Sequence, residues 1–154
     1  MNRSIEYPRG ITSNQIATLD HIGWFATPPG DPGVIGAFPA KDDASASIDD
    51  RARAYLHVNC AQCHQPDGPT PVAMDLRFDT PIADMAVCGA PDAGDLGLGN
   101  GARIVAPGDP AISVLSARMH RRDDDAMPPI GTELVDDVGV GVVDDWIAAL
   151  ATCP

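Results

Sequence analysis

From residue 65 to residue 109 the chain is interrupted by Pro66, Gly68, Pro69, Pro71 and Pro81, and then by the run GDLGLGNG at Gly94–Gly101. These spacings admit neither a helix nor a strand of ordinary length. The whole sequence holds 15 Gly and 15 Pro among 154 residues, so loop must make up much of the backbone. A long stretch without regular structure is unusual inside a compact domain unless something else organises it. Hydrophobic residues amount to 44%, enough for one core, and the length suits a single domain.

Regular structure is expected on both sides of that stretch, and all of it is helical. Within Ser13–Phe25, Ser13 can cap a short helix that carries Ile16, Leu19 and Ile22 on one side. The rest of residues 1–44, with Pro8, Pro28, Pro29, Pro32 and Pro39, reads as an N-terminal extension or linker wrapping a domain at residues 45–154. From Ser45 the pattern changes. Ser47 precedes Asp49 and Asp50, and Ile48, Ala52, Tyr55, Leu56 and Asn59 follow helical spacing. In PGDP, Asp109 is placed as an N-cap and Pro110 at the first position of a helix running to about His120.

A last helix is expected to start near Asp136 and Asp137. Its core row is Val138, Val142, Trp146 and Leu150, with Ile147 beside it. Gly139 and Gly141 each cost about 1 kcal/mol in a helix interior, which means either a frayed first turn or a need for close packing. Tyr55 and Trp146 are expected to pack where the first and last domain helices cross. No internal repeat and no alternating segment of useful length stands out, so the expected fold class is all-α and loop-rich.

With 22 acidic against 10 basic residues the net charge is -12, the wrong sign for a nucleic-acid partner. No apolar run approaches the ~18 residues of a membrane span, and Met1–Gly10 lacks the charged-then-apolar pattern of a leader. The chain is therefore expected to be soluble, already trimmed and without a membrane span.

The strongest chemical signal is CAQCH at Cys60–His64. Two thiols separated by two residues can add to the two vinyl groups of one haem, and a histidine directly after the second thiol can ligate its iron. The pattern is rare by chance in a chain with four cysteines. The reading gives one covalent haem c, with Cys60 and Cys63 as anchors and His64 as proximal ligand. A large embedded cofactor of this kind would also organise the loops. Two other chemistries use the same residues. A thioredoxin-like CxxC is expected beside a βαβ pattern, absent here. A zinc site would have to recruit Cys88, Cys153 or a histidine at unusual spacing.

For the sixth iron position the candidates are Met74, Met85, Met119, Met127, His21, His57 and His120. Met127 is singled out because Pro128 and Pro129 stiffen the loop that follows it. His64/Met127 ligation would raise the reduction potential and leave no open position, which suits electron transfer. An open or displaceable position would instead suit a haem enzyme or a gas or redox sensor. Arg77, Arg103 and Arg118 are candidates for neutralising haem propionates. Gly97, Gly99 and Gly101 lack the strand and helix of a nucleotide loop, and Asp92 with Asp95 is too little for calcium. Asp123–Asp125 reads as a solvated acidic patch able to steer a basic redox partner.

CAQCH after an amphipathic helix, a later MPP loop and a final DDWIAAL resemble a monohaem c-type cytochrome domain. The wider pattern adds YPRGITSNQIATLDHIG, RARAYLHVNCAQCH, LRFDTP and RIVAPGDPAISVL. It is similar to the C-terminal haem-binding domain of larger periplasmic proteins, which themselves resemble sugar or sorbosone dehydrogenases and repeat proteins. The resemblance implies a helical bundle around one haem, a periplasmic or otherwise exported location, and electron relay from an upstream dehydrogenase domain or a partner protein. It favours an electron-transfer domain over an enzyme in its own right. Haem attachment also implies an oxidising compartment, in which the leftover Cys88 and Cys153 are expected to pair.

Overall fold

The computed structural model describes residues 2–153, and the chain divides into two compact units, Met1–Phe38 and Pro39–Pro154. The first unit holds a β-hairpin. Strands β1 (Ser4–Tyr7) and β2 (Ile11–Asn14) run antiparallel, from Ser4 opposite Asn14 to Tyr7 opposite Ile11. Pro8 presets one turn dihedral, and Arg9 and Gly10 both take φ of 71° to close the reversal. This overturns the all-α fold class, because the described residues include a two-stranded sheet in addition to four α-helices. Isoleucine, tyrosine and threonine favour the strands, but at four residues each they are too short to show a period of two.

Helix α1 (Gln15–His21) follows β2 directly. Its cap is Asn14 rather than Ser13: the Asn14 side chain accepts from the amides of Ile16 at 2.8 Å and Ala17 at 3.4 Å. Ser13 is instead a strand residue opposite Ile5. Asn2 donates to the carbonyls of Pro32 and Ile35, and Arg3 to that of Phe38, folding the Pro-rich tail onto the hairpin. None of the described residues of this unit is buried.

In the second unit, α2 (Ile48–Asn59) begins at Ser47, whose hydroxyl accepts from the Asp50 amide at 3.0 Å. It buries Ala52, Ala54 and Leu56. The helix expected from Pro110 is broken in two. Asp109 does cap, accepting from the Ala111 amide at 3.0 Å, but a 3-10 turn covers only Pro110–Ile112, and α3 spans Val114–Met119. Ser113 between them is extended (φ -94°, ψ 115°). Its buried hydroxyl accepts from the Ala106 amide and donates to the Asp109 carbonyl, both at 2.9 Å. Beside it the Arg103 amide donates to the Ile112 carbonyl, and the Arg103 carbonyl accepts from the Val114 amide. Tertiary hydrogen bonds thus outweigh local helix signals.

Helix α4 (Asp137–Ala149) buries Gly139, Val140, Val142, Val143, Trp146 and Ile147. The expected row is displaced: Val138 is 55% exposed and Leu150 is the extended C-cap. Positions four apart drift by about 40° per step around a helix, so a row of four cannot stay on one face. Tyr55 and Trp146 occupy different ends of the α2–α4 crossing. Trp146 Nε1 donates to Asp49 at 2.8 Å, whereas Tyr55 lies against Gly139, so the helices run antiparallel. The core also takes Leu76, Met85, Val87, Ile104 and Val105 from the loop-rich stretch, where the amides of Ile104 and Val105 donate to the carbonyls of Gly89 and Val87. Among the described residues no helix is long and apolar enough to cross a membrane.

A Cβ on Gly139 would fall 2.1 Å from Tyr55 Cε2, while one on Gly141 meets nothing within 4 Å. Gly139→Ala should therefore lower stability by about 1–3 kcal/mol through overpacking. Gly141→Ala should raise it by up to about 1 kcal/mol, both read from denaturant unfolding midpoints. Asp136 caps α4 at the Gly139 amide, and its hydrogen bond to Lys41 holds its carboxyl below the usual range. A depressed folded-state pKa contributes stability above the unfolded value, about 3.9, that is lost as pH falls through the folded value. Acid titration of Asp136→Asn should show a shallower loss of stability below about pH 4 than the parent.

Candidate functional site

The C-terminus of α2 shapes the CAQCH segment. Cys60 caps the helix, its amide donating to the Leu56 carbonyl at 2.8 Å, and the Cys60 carbonyl then accepts from the amides of Cys63 and His64 at 3.1 and 2.9 Å. This tight turn puts the side chains of Cys60, Cys63 and His64 on the same cavity. The His64 carbonyl accepts from the Leu76 amide at 2.9 Å, and Leu76 is fully buried, so the core anchors the turn. Gly68 fits beneath it: a Cβ there would lie 2.2 Å from the Cys63 carbonyl oxygen. In the sequence Gly68 is only a loop breaker, and nothing local to it marks that contact.

The cavity encloses about 140 Å³, below the roughly 300–1,000 Å³ of typical cofactor pockets, and continues into open space at its mouth. Its apolar walls come from separate segments: Leu76, Ile104, and Val114 with Leu115 on α3. Pro91, Asp92 and Ala93 close another side. Of these wall residues, only Asp92 is individually a candidate from the sequence, for calcium, while Leu76, Ile104, Val114 and Leu115 fall within LRFDTP and RIVAPGDPAISVL.

Of the candidates for a sixth ligand, Met127, Met119 and Met74 all line this cavity. Met119 is also a member of the core, and Met127 is half-buried on the loop after α3. Met85 is buried in the core and is not among the cavity residues. His57 Nδ1 accepts from the Phe78 amide, and His120 Nε2 is 2.8 Å from Asp144 Oδ2; neither lines the cavity. His21 belongs to the N-terminal unit.

Among the arginines, Arg118 lines the cavity. Arg77 is exposed and paired with Asp75, whose carboxyl its hydrogen bond pulls down to about 2. Arg103 donates to the Ala102 carbonyl, away from the cavity lining. Within Asp123–Asp125, Asp123 pairs with Arg121, and Asp125 with both Arg121 and Arg118, so two of these three carboxylates are tied by ion pairs.

The electrostatics weigh on the rival chemistries. Burial, with the neighbouring Cys63, pushes the Cys60 thiol up to about 12. It also sits at a helix C-terminus, the dipole end that disfavours a thiolate. A reactive dithiol needs the opposite environment. Cys88 and Cys153 are joined in a disulfide with Cα atoms 5.7 Å apart, leaving Cys60 and Cys63 as the free thiols. Among the described residues no three His, Cys, Asp or Glu side chains are grouped to hold a metal ion, so a zinc site lacks its donors.

A haem, by contrast, matches what is present. It requires two free thiols, an apolar enclosure and a neutral imidazole. Burial lowers the His64 pKa, favouring the neutral ring, and His64 Nδ1 is buried without a hydrogen-bond partner. Compared with protein-family models, curated proteins and solved structures, the chain gives no match.

The disulfide ties the C-terminus to the segment just before Pro91–Ala93. The double variant Cys88→Ser/Cys153→Ser should lose about 2–4 kcal/mol of stability in denaturant unfolding. A loss below about 0.5 kcal/mol would show that this loop is already constrained in the unfolded chain.

Proposed function

We propose that this chain carries one covalently bound haem c and passes electrons one at a time, with Cys60 and Cys63 as thioether anchors and His64 and Met127 as axial ligands. One arrangement supports the reading: both free thiols, the buried imidazole and the Met127 thioether border one apolar cavity. Each S–H adds across one vinyl double bond, so attachment consumes both thiols and needs no oxidant. When bound, the group supplies one-electron iron chemistry, and His/Met ligation raises its potential.

The chain's own residues do the rest. The turn after α2 holds both anchors and the imidazole in one rigid unit, and the Leu76–His64 hydrogen bond ties that unit to the core. Leu76, Ile104, Val114 and Leu115 limit water around the site. An oxidising compartment such as the periplasm suits both the attachment chemistry and the Cys88–Cys153 bond. The charge of -12 favours a redox partner, or an upstream dehydrogenase domain, that docks through a basic face.

Visible absorption and carbon monoxide test the ligand set. The reduced parent at neutral pH should not bind carbon monoxide. Met127→Ala should keep its haem covalently, lose the sulfur-to-iron band of the oxidised protein and gain carbon monoxide binding. Rapid binding by the parent, or an unchanged band in the variant, would contradict ligation by Met127.

A further inference from the structure

We infer that Arg118 is the positioning residue for the Met127 thioether, an inference that rests on the function proposed above. Arg118 lies in α3, with its side chain only 15% exposed and lining the cavity. It grips the ligand loop twice. Its guanidinium NH1 donates to the Asp125 carbonyl at 3.0 Å, and its own carbonyl accepts from the Met127 amide at 3.0 Å. Between these two points Ala126 is buried, its amide turned back to the Asp123 carbonyl at 2.9 Å.

Just beyond Met127 the loop is weakly held, and its next tie to the residues after α3 is the Arg122 hydrogen bond to the Leu134 carbonyl at 2.8 Å. Pro128 and Pro129 have no amide hydrogen to donate, and the Pro128 carbonyl accepts from the exposed Thr132 hydroxyl at 3.1 Å. The location of the thioether therefore depends on its N-terminal side, which Arg118 fixes. The guanidinium is also 3.9 Å from Asp125 Oδ1, so part of its charge is already matched within the loop. That favours a clamp over the propionate role for which the sequence makes Arg118 one of three candidates. Arg121 is the natural contrast. It bonds the side chains of Asp123 and Asp125 in exposed pairs and is not part of the cavity lining, and exposed pairs of this kind contribute little.

The test compares Arg118→Ala, Arg118→Gln, Arg118→Lys and Arg121→Ala in the haem-loaded full chain, with imidazole as the probe ligand. Circular dichroism checks folding, and Arg118→Gln, which keeps more of the side-chain bulk, decides where Arg118→Ala unfolds. In the folded neutral variants the sulfur-to-iron band should weaken or vanish and imidazole should bind at least about tenfold tighter, because a loosened thioether competes less well. Arg118→Lys should recover part of both signals, since an ammonium can still donate to the Asp125 carbonyl, and Arg121→Ala should match the parent. A folded neutral variant with an unchanged band and imidazole affinity within about twofold of the parent would overturn the assignment.

A parent that takes up no covalent haem would instead fail the proposed function. Amide exchange of residues 123–129 in the haem-free chain would still read the clamp. Faster exchange in Arg118→Gln than in Arg121→Ala supports it, and equal exchange overturns it.

Discussion

The close approach of α2 and α4 at Tyr55 and Gly139 positions everything that follows from it. With no side chain on Gly139, the Tyr55 ring lies directly against the α4 backbone, and Asp136 locks the contact. Asp136 caps α4, pairs with Lys41 and lies beside Tyr55. Burial and that carboxylate raise the Tyr55 pKa to about 12, so it keeps its proton as a donor throughout the neutral range. Two turns away the Trp146–Asp49 hydrogen bond secures the other end of the crossing. A crossing pinned at both ends fixes the direction of α2 and, with it, the place where the helix releases Cys60.

The chemistry of the site depends on where α2 stops. A pair of cysteines at a helix N-terminus would be activated as thiolates, whereas burial at the C-terminus of α2 keeps the Cys60 thiol protonated. That disfavours thiol–disulfide exchange. The second pair of cysteines is spent on the disulfide, which removes the remaining donors for zinc. What remains is a free dithiol, a buried imidazole and three thioethers around an apolar space. The proposed haem would use the dithiol, the imidazole and one of these thioethers.

Much of this was legible in the sequence. The start of α2 was marked by Ser47 with Asp49 and Asp50, and that of α4 by Asp136. The spacing of CAQCH and the prolines after Met127 pointed to residues that do share a cavity. The hairpin was hidden because SIEY and ITSN are too short to display alternation and their turn reads as part of a Pro-rich linker. The break at Ser113 was hidden for another reason. Its cap and proline signals are genuine, but hydrogen bonds to Arg103 and Ala106 win over them. Likewise the cavity walls come from segments far apart in the chain, and nothing local in Leu76, Ile104 or Leu115 announces a common surface. The loop-rich stretch also contributes its own core residues, so its proline and glycine content implied less need for a cofactor than the composition suggested.

The mass of the intact protein, produced together with a haem-attachment system and measured under denaturing conditions, tests the central claim most directly. The account predicts a gain of one haem that survives denaturation, with no thiol left to alkylate at Cys60 or Cys63 and with the Cys88–Cys153 bond intact. An unmodified mass with two alkylatable thiols at Cys60 and Cys63 would contradict it.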